Sequence, residues 1–74
     1  MKLFLISQTK NSDWDTYDSA VVATIDIESA RRIKPGGEFS VDTWCDFEYV
    51  TVRYLGEAAD DIAHGVVCAS FNAG

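Results

Sequence analysis

The segment Lys2–Gln8 constrains the fold more than any other, because its apolar side chains occupy both parities of an extended strand. Leu3 and Leu5 would point to one side of a sheet. Phe4 and Ile6 would point to the other side. A strand that is apolar on both sides is typical of the centre of a sheet. A chain of 74 residues has room for one hydrophobic core around such a strand, so we predict a single domain spanning residues 1–74.

Three further segments have the composition of β-strands. Asp18–Ile25 is β-branched at its centre, and we expect it to pair with Lys2–Gln8 as an antiparallel hairpin. Tyr49–Leu55 alternates in the manner of a strand, and Gly56 is expected to end it. Val66–Phe71 is apolar on two faces, like the first segment. We therefore predict that the first and last strands are central and adjacent.

A short helix is predicted between the second and third strands. Asp26 is a favourable N-cap for Ile27–Lys34, and Pro35–Gly37 would end the helix. Three of its residues recur at helical spacing and would face the sheet: Ile27, Ala30 and Ile33. Glu57–His64 is expected to form one further helical turn. The whole pattern predicts an α+β fold, a four-stranded, mostly antiparallel sheet with one short helix packed on one face, in the order β-β-α-β-β.

The net charge of −6 limits the classes of partner. An acidic chain is poorly suited to the phosphates of duplex nucleic acid or to an anionic membrane. The charge is compatible with simple solubility, with a basic protein partner, or with mimicry of nucleic-acid charge. We expect no signal peptide, because Lys2 is followed by only a short apolar run without a small-residue cleavage site, and no segment approaches transmembrane length. We therefore expect a cytoplasmic protein whose two cysteines, Cys45 and Cys68, stay free and buried.

The residues that carry catalytic or metal chemistry are few and poorly spaced. His64 is the one histidine, and it forms no short paired spacing with Cys45 or Cys68 of the kind that holds a metal. Asp60 and Asp61 are adjacent, so their side chains would point apart and serve a solvated turn better than acid–base catalysis. None of the serines lies in a nucleophile elbow. We therefore predict that the protein is not an enzyme and uses no metal or cofactor.

Two groups of residues are candidates for binding. The first combines amphipathic aromatic residues near strand ends with acids of the irregular segment Glu38–Glu48, and it comprises Trp14, Tyr17, Asp42, Trp44, Asp46 and Tyr49. Its aromatic members would anchor a protein partner or stack on a flat ligand, or else fill the core. The second group is the basic cluster Arg31, Arg32 and Lys34, joined by Arg53. It would bind an anion such as a nucleotide phosphate, or only complement the helix end and form salt bridges.

Five segments spanning nearly the whole chain carry a resemblance to a known group of proteins. They are Met1–Gln8, Tyr17–Val22, Ala30–Pro35, Val52–Ala58 and Gly65–Gly74, and the last of them, GVVCASFNAG, is the most distinctive. In these segments the chain resembles short, uncharacterised proteins encoded by bacteriophages and prophages. The resemblance implies a setting rather than a site, because phage genes of this size often encode accessory factors that disarm host defence or redirect a host protein.

Charge, composition and resemblance together favour a phage accessory protein that binds and inhibits a host protein in the infected bacterial cytoplasm, as anti-CRISPR proteins do. One alternative is a homo-oligomeric sponge that sequesters a nucleotide immune signal. Another is a structural or regulatory phage protein without a defence role. Asn72, beyond the last apolar residues, is either part of an interface or a strand end on the surface.

Overall fold

The computed structural model describes residues 1–10, 16–36 and 43–72. Within these ranges the chain forms a four-stranded antiparallel sheet with one short helix packed against it, which confirms the predicted α+β fold. The elements in chain order are β1 (Lys2–Ser7), β2 (Thr16–Thr24), α1 (Ile27–Arg32), β3 (Thr51–Glu57) and β4 (Gly65–Asn72). A single 3-10 turn, Phe47–Tyr49, precedes β3.

The order of strands across the sheet is β3-β1-β2-β4. β1 and β2 form the predicted antiparallel hairpin, and β1 is central as its two-sided apolarity indicated. The prediction that β1 and β4 are adjacent is wrong, because β4 pairs with β2 and lies at an edge. β1 pairs with β2 through the local hairpin and with β3 on its other side, so neither edge of β1 is left for β4. Both cysteines are free as predicted, but neither is fully buried, since Cys68 is exposed and Cys45 is half-buried.

The hydrophobic core lies between α1 and one face of the sheet. Its buried residues are Phe4, Ile6, Ala20, Val22, Ala30, Trp44 and Val50. Phe4 pairs with Val22 and Ile6 with Ala20, so neighbouring strands bury the same face. The residues between them, such as Leu5 and its partner Val21, point to the opposite face, called the open face below, and are half-buried.

The local signals of helix α1 are largely confirmed. The Asp26 carboxylate accepts a hydrogen bond from the backbone N–H of Ser29 at 2.8 Å, so Asp26 is the N-cap. Ala30 is fully buried, but Ile27 is 47% exposed, which corrects the prediction that it faces the sheet. A spacing of three residues drifts by about 60° around a helix with each step, so Ile27, Ala30 and Ile33 cannot all point directly at the core. Ile33 lies just past the helix and packs at the margin of the core.

The third strand starts and ends later than predicted. Tyr49 belongs to the 3-10 turn, and Gly56 lies inside β3 rather than at its end. The register passes from Phe4 opposite Tyr54 to Leu3 opposite Gly56, so Leu55 is an extra, bulged residue. The positive φ of 143° at Gly56 fits this irregularity, because residues with a Cβ rarely adopt it.

The segment between β3 and β4 forms turns rather than the predicted helical turn. The N–H of Ile62 donates to the carbonyl of Ala59 at 3.0 Å, a spacing of three residues that closes a turn. The Ala58 N–H donates to the Met1 carbonyl at 2.9 Å, which holds the start of this segment beside β1.

Candidate functional site

Arg31, a member of the predicted basic cluster, has a structural role. Its guanidinium Nη1 donates to the backbone carbonyl of Val50 at 2.7 Å. Its Nε lies 3.8 Å from the Glu28 carboxylate one turn earlier on α1. The side chain is 28% exposed, so it links the end of α1 to the segment that enters β3. This arrangement agrees with the salt-bridge interpretation of the cluster more closely than with an open anion site.

The other arginines of the cluster do not converge with Arg31 on one site. Arg53 pairs with Leu5 across β1 and β3, which places it on the open face, whereas α1 packs on the other face. Arg32 is exposed, and its guanidinium carbon lies 4.4 Å from the centroid of the Phe47 ring. The predicted cluster is therefore divided between the two faces of the sheet.

The segment Asp46–Tyr49, called the acidic aromatic turn below, presents two acids and two aromatic rings to solvent. Phe47 is 44% exposed and Tyr49 is 47% exposed, and Asp46 and Glu48 are exposed beside them. The turn is closed by two backbone hydrogen bonds, from Tyr49 N–H to the Asp46 carbonyl at 3.0 Å and from Val50 N–H to the Phe47 carbonyl at 3.2 Å. These hydrogen bonds fix the backbone that carries the four side chains of the turn.

Buried residues on both sides hold the acidic aromatic turn in place. Trp44 and Val50 are 2% and 3% exposed and belong to the core. Because its ring is enclosed by the core, Trp44 is placed to fill the core rather than to contact a partner. Core filling, the alternative weighed for these aromatics, is the outcome for Trp44.

Cations of the chain itself lie against the rings of the acidic aromatic turn. Arg32 lies over Phe47, and the Lys10 ammonium lies 4.8 Å from the centroid of the Tyr49 ring. Both distances are within the range of a cation–π interaction. Sequence reasoning named Tyr49 and Asp46 but missed Lys10, because no local pattern signals a contact between residues so far apart in the chain.

Tyr17 links three parts of the chain. Its ring centroid lies 4.8 Å from that of Phe71 on β4. Its backbone N–H donates to the Thr43 carbonyl, and its carbonyl accepts from the Gln8 side-chain amide, both at 2.8 Å. Tyr17 is half-buried and packs against the core, so its contacts are mainly internal. Asn72 pairs with Thr16 at the end of β4, while Trp14 and Asp42 lie outside the described residues.

A groove with a volume of about 600 Å³ opens beside the first turn of α1. Its lining residues are Lys2, Phe4, Asp26, Ile27, Tyr54 and Glu57. Tyr54 is 52% exposed, and its hydroxyl lies 3.4 Å from the Glu57 carboxylate. The groove is lined by charges of both signs, Lys2 on one side and Asp26 and Glu57 on the other.

The reactive side chains do not assemble into a described site. Burial, followed by the negative charge of Asp46, raises the pKa of the Cys45 thiol and keeps it protonated near neutral pH. Residues 1–10, 16–36 and 43–72 contain no group of three or more histidine, cysteine or acidic residues that could hold a metal ion. In the same ranges no helix is long and apolar enough to cross a membrane.

Comparison of the chain with known proteins identified no related protein. No protein-family model, no curated protein and no solved structure matches the chain. The resemblance to phage-encoded proteins stays a prediction that rests on the sequence segments given above.

Proposed function

We propose that this chain is a small acidic phage accessory protein that binds a basic surface of a host protein through the acidic aromatic turn and inhibits that protein. A component of bacterial defence against phages is the class of target that the resemblance favours, and the site of action is then the host cytoplasm. The proposal requires recognition and no chemical step.

The exposed rings of Phe47 and Tyr49 carry the proposal. Aromatic side chains contribute large contact areas at interfaces and attract cations to their faces. Arg32 and Lys10 already occupy such positions within the chain. A partner's arginine or lysine would make the same kind of contact, with Asp46 or Glu48 beside it to accept hydrogen bonds.

The net charge of the chain supports binding to a basic surface. The chain carries −6, and every acidic residue within the described ranges is exposed. Such a charge accelerates the approach of a basic surface and weakens binding as salt screens it. Arg32 and Lys10 lie over the rings of the acidic aromatic turn. We therefore assign the steering of the partner to the net charge of the whole chain, and the specific contact to the turn. A basic groove that normally binds nucleic acid has the complementary charge.

The alternative of a nucleotide sponge has less support. It needs several cations around one phosphate group. Arg31 is bonded to Val50 and Arg53 lies on the opposite face of the sheet. A single copy therefore brings no set of arginines together in the described residues.

The test is quantitative affinity purification of the tagged protein from the host, with mass spectrometry of captured proteins. Glu48→Lys is compared with Glu57→Lys, a matched control, because both residues are exposed and both substitutions change the net charge equally. We expect one or a few basic proteins to be captured by the wild type, retained by the control and lost with Glu48→Lys. Loss of capture should also follow an increase in salt from about 0.1 M to 1 M. Equal losses with both variants would show that charge alone matters, and capture of no protein by the wild type would refute the proposal.

A further inference from the structure

Strand β4 forms an edge of the sheet that lacks most of the features that protect such edges. It pairs with β2 on one side, so the backbone N–H and C=O groups of every second residue point away from the sheet. β4 contains no charged residue and no proline, and its residues from Val66 to Phe71 are all exposed. Val67 is a bulged residue of β4, and a second register shift lies between Ser70 and Phe71, where Asp18 is the extra residue on β2. Cys68–Asn72 itself contains no extra residue. An exposed edge of this kind favours pairing with another strand.

The opposite edge of the sheet is protected. β3 carries the charged residues Arg53 and Glu57, and Leu55 and Gly56 form its bulge. Charges and bulges are the means by which natural sheets prevent pairing at an edge. Within residues 1–10, 16–36 and 43–72, the β3 edge therefore carries both charged residues and a bulge, whereas the β4 edge carries a bulge and no charge.

The charge of the chain favours a second copy at this edge rather than elsewhere. Two copies that each carry −6 repel one another. β1, β2 and β3 each contain charged residues, whereas β4 has none. A neutral strand is therefore where two acidic copies approach at the smallest electrostatic cost. Antiparallel pairing of one strand with its own copy also satisfies the two-fold symmetry of a closed dimer.

The open face of the sheet continues to the same edge. Leu5, Val21 and Cys68 lie in one row across β1, β2 and β4. A shallow depression of about 110 Å³ beside this row reaches β4 at Cys68–Ser70. Pairing about Ser70 would place the second copy beside the rim of this depression, with Asn72 of each copy opposite Cys68 of the other.

We propose that two copies of this chain associate through antiparallel pairing of β4 with β4, which makes one continuous sheet with its two-fold axis near Ser70. Ser70 is the middle residue of Cys68–Asn72, the part of β4 that follows the bulged residue Val67. This inference does not depend on the proposed function. The two respond oppositely to salt, because screening strengthens association between like-charged copies and weakens binding to a basic partner.

The test compares Ser70→Lys with Thr51→Lys in sedimentation equilibrium over a range of protein concentration. Ser70 and Thr51 are both exposed residues with a hydroxyl group. They lie at opposite ends of one row on the open face, which runs across the four strands as Thr51, Ser7, Ser19, Ser70. Both substitutions make the chain less acidic, so neither increases general repulsion between copies. In the Ser70→Lys dimer, the two introduced ammonium groups would lie close across the axis, and like charges placed opposite one another destabilise pairing.

We expect the wild type to reach twice the monomer mass of 8.2 kDa and to associate more tightly in higher salt. Ser70→Lys should weaken association by about fivefold, and Thr51→Lys by about twofold or less. A wild type that stays monomeric throughout, or two variants that weaken association equally, would overturn the proposal.

Hydrogen exchange of the wild type supplies a second measurement that does not depend on the folding of a variant. In the β4-paired dimer, the outward amides of Cys68–Asn72 should exchange more slowly as concentration rises. A dimer in which these amides exchange as fast as in the monomer would be joined elsewhere, for example through the open face, and would also overturn the proposal.

Discussion

Substitution of Trp44 by alanine should reduce the stability of the fold severely. The ring is 2% exposed and packs in the core with residues such as Ile6 and Val50. Truncating a buried aromatic side chain costs about 3–5 kcal/mol, because apolar area is lost and a cavity remains. A domain of 74 residues has a total stability on the order of 4–11 kcal/mol, at about 0.05–0.15 kcal/mol per residue. Trp44→Ala would therefore remove a large fraction of the stability, with a fall of roughly 12 °C or more in Tm.

The assay for this prediction is urea unfolding followed by circular dichroism, with Tyr49→Ala as the control. Tyr49 is 47% exposed, so its truncation should change the free energy of unfolding by about 0.5 kcal/mol or less. The reasoning would be refuted if Trp44→Ala were as stable as the control and lost only the capture of a partner. That result would mean that Trp44 is a contact residue.

Two further predictions concern Arg31 and the cysteines. Arg31→Met should lower the free energy of unfolding in urea by about 1–2 kcal/mol, because the Val50 carbonyl loses a charged hydrogen-bond donor. Arg32→Met, on the exposed surface, should lower it by about 0.5 kcal/mol or less. Equal losses of stability in the two variants would contradict a structural role for Arg31. Cys68 should react with iodoacetamide faster than Cys45 at pH 8, as read by mass spectrometry, because Cys68 is exposed and the raised pKa of Cys45 reduces its thiolate fraction. The alkylation rate of Cys45 should still rise with pH above 9.0, the ordinary pKa of a cysteine thiol. Equal alkylation rates of Cys45 and Cys68 at pH 8 would contradict the partial burial that raises the pKa of Cys45.

Local signals in the sequence predicted the parts of the fold that depend on local physics. Asp26 caps α1 because its short carboxylate reaches the Ser29 amide, a contact fixed by a spacing of three residues. The first hairpin forms because two β-rich segments are joined by a polar connection. Strand order could not be predicted in the same way. Apolarity on both faces of β4 suggested a central strand, but β2 and β3 occupy the two sides of β1 and β4 lies at an edge, with Val66, Val67 and Phe71 exposed.

The candidate site depended on contacts that the sequence does not signal. The acids and aromatics of Asp46–Tyr49 were visible in the composition of the segment, but exposure decides which of them can bind. Trp44 is buried while Phe47 and Tyr49 are exposed, and all three have the same aromatic signature in the sequence. The pairing of Lys10 with Tyr49 and of Arg32 with Phe47 arises from tertiary packing, so no spacing rule could have predicted it.

The affinity of the captured host protein for Tyr49→Ala and for Tyr54→Ala tests the central claim most directly. Both are tyrosines about half exposed, at 47% and 52%, but only Tyr49 belongs to the acidic aromatic turn. Isothermal titration should show a loss of at least about tenfold in affinity for Tyr49→Ala, which corresponds to about 1.4 kcal/mol, and little change for Tyr54→Ala. A loss confined to Tyr54→Ala would move the binding site to the groove beside α1 and contradict the account.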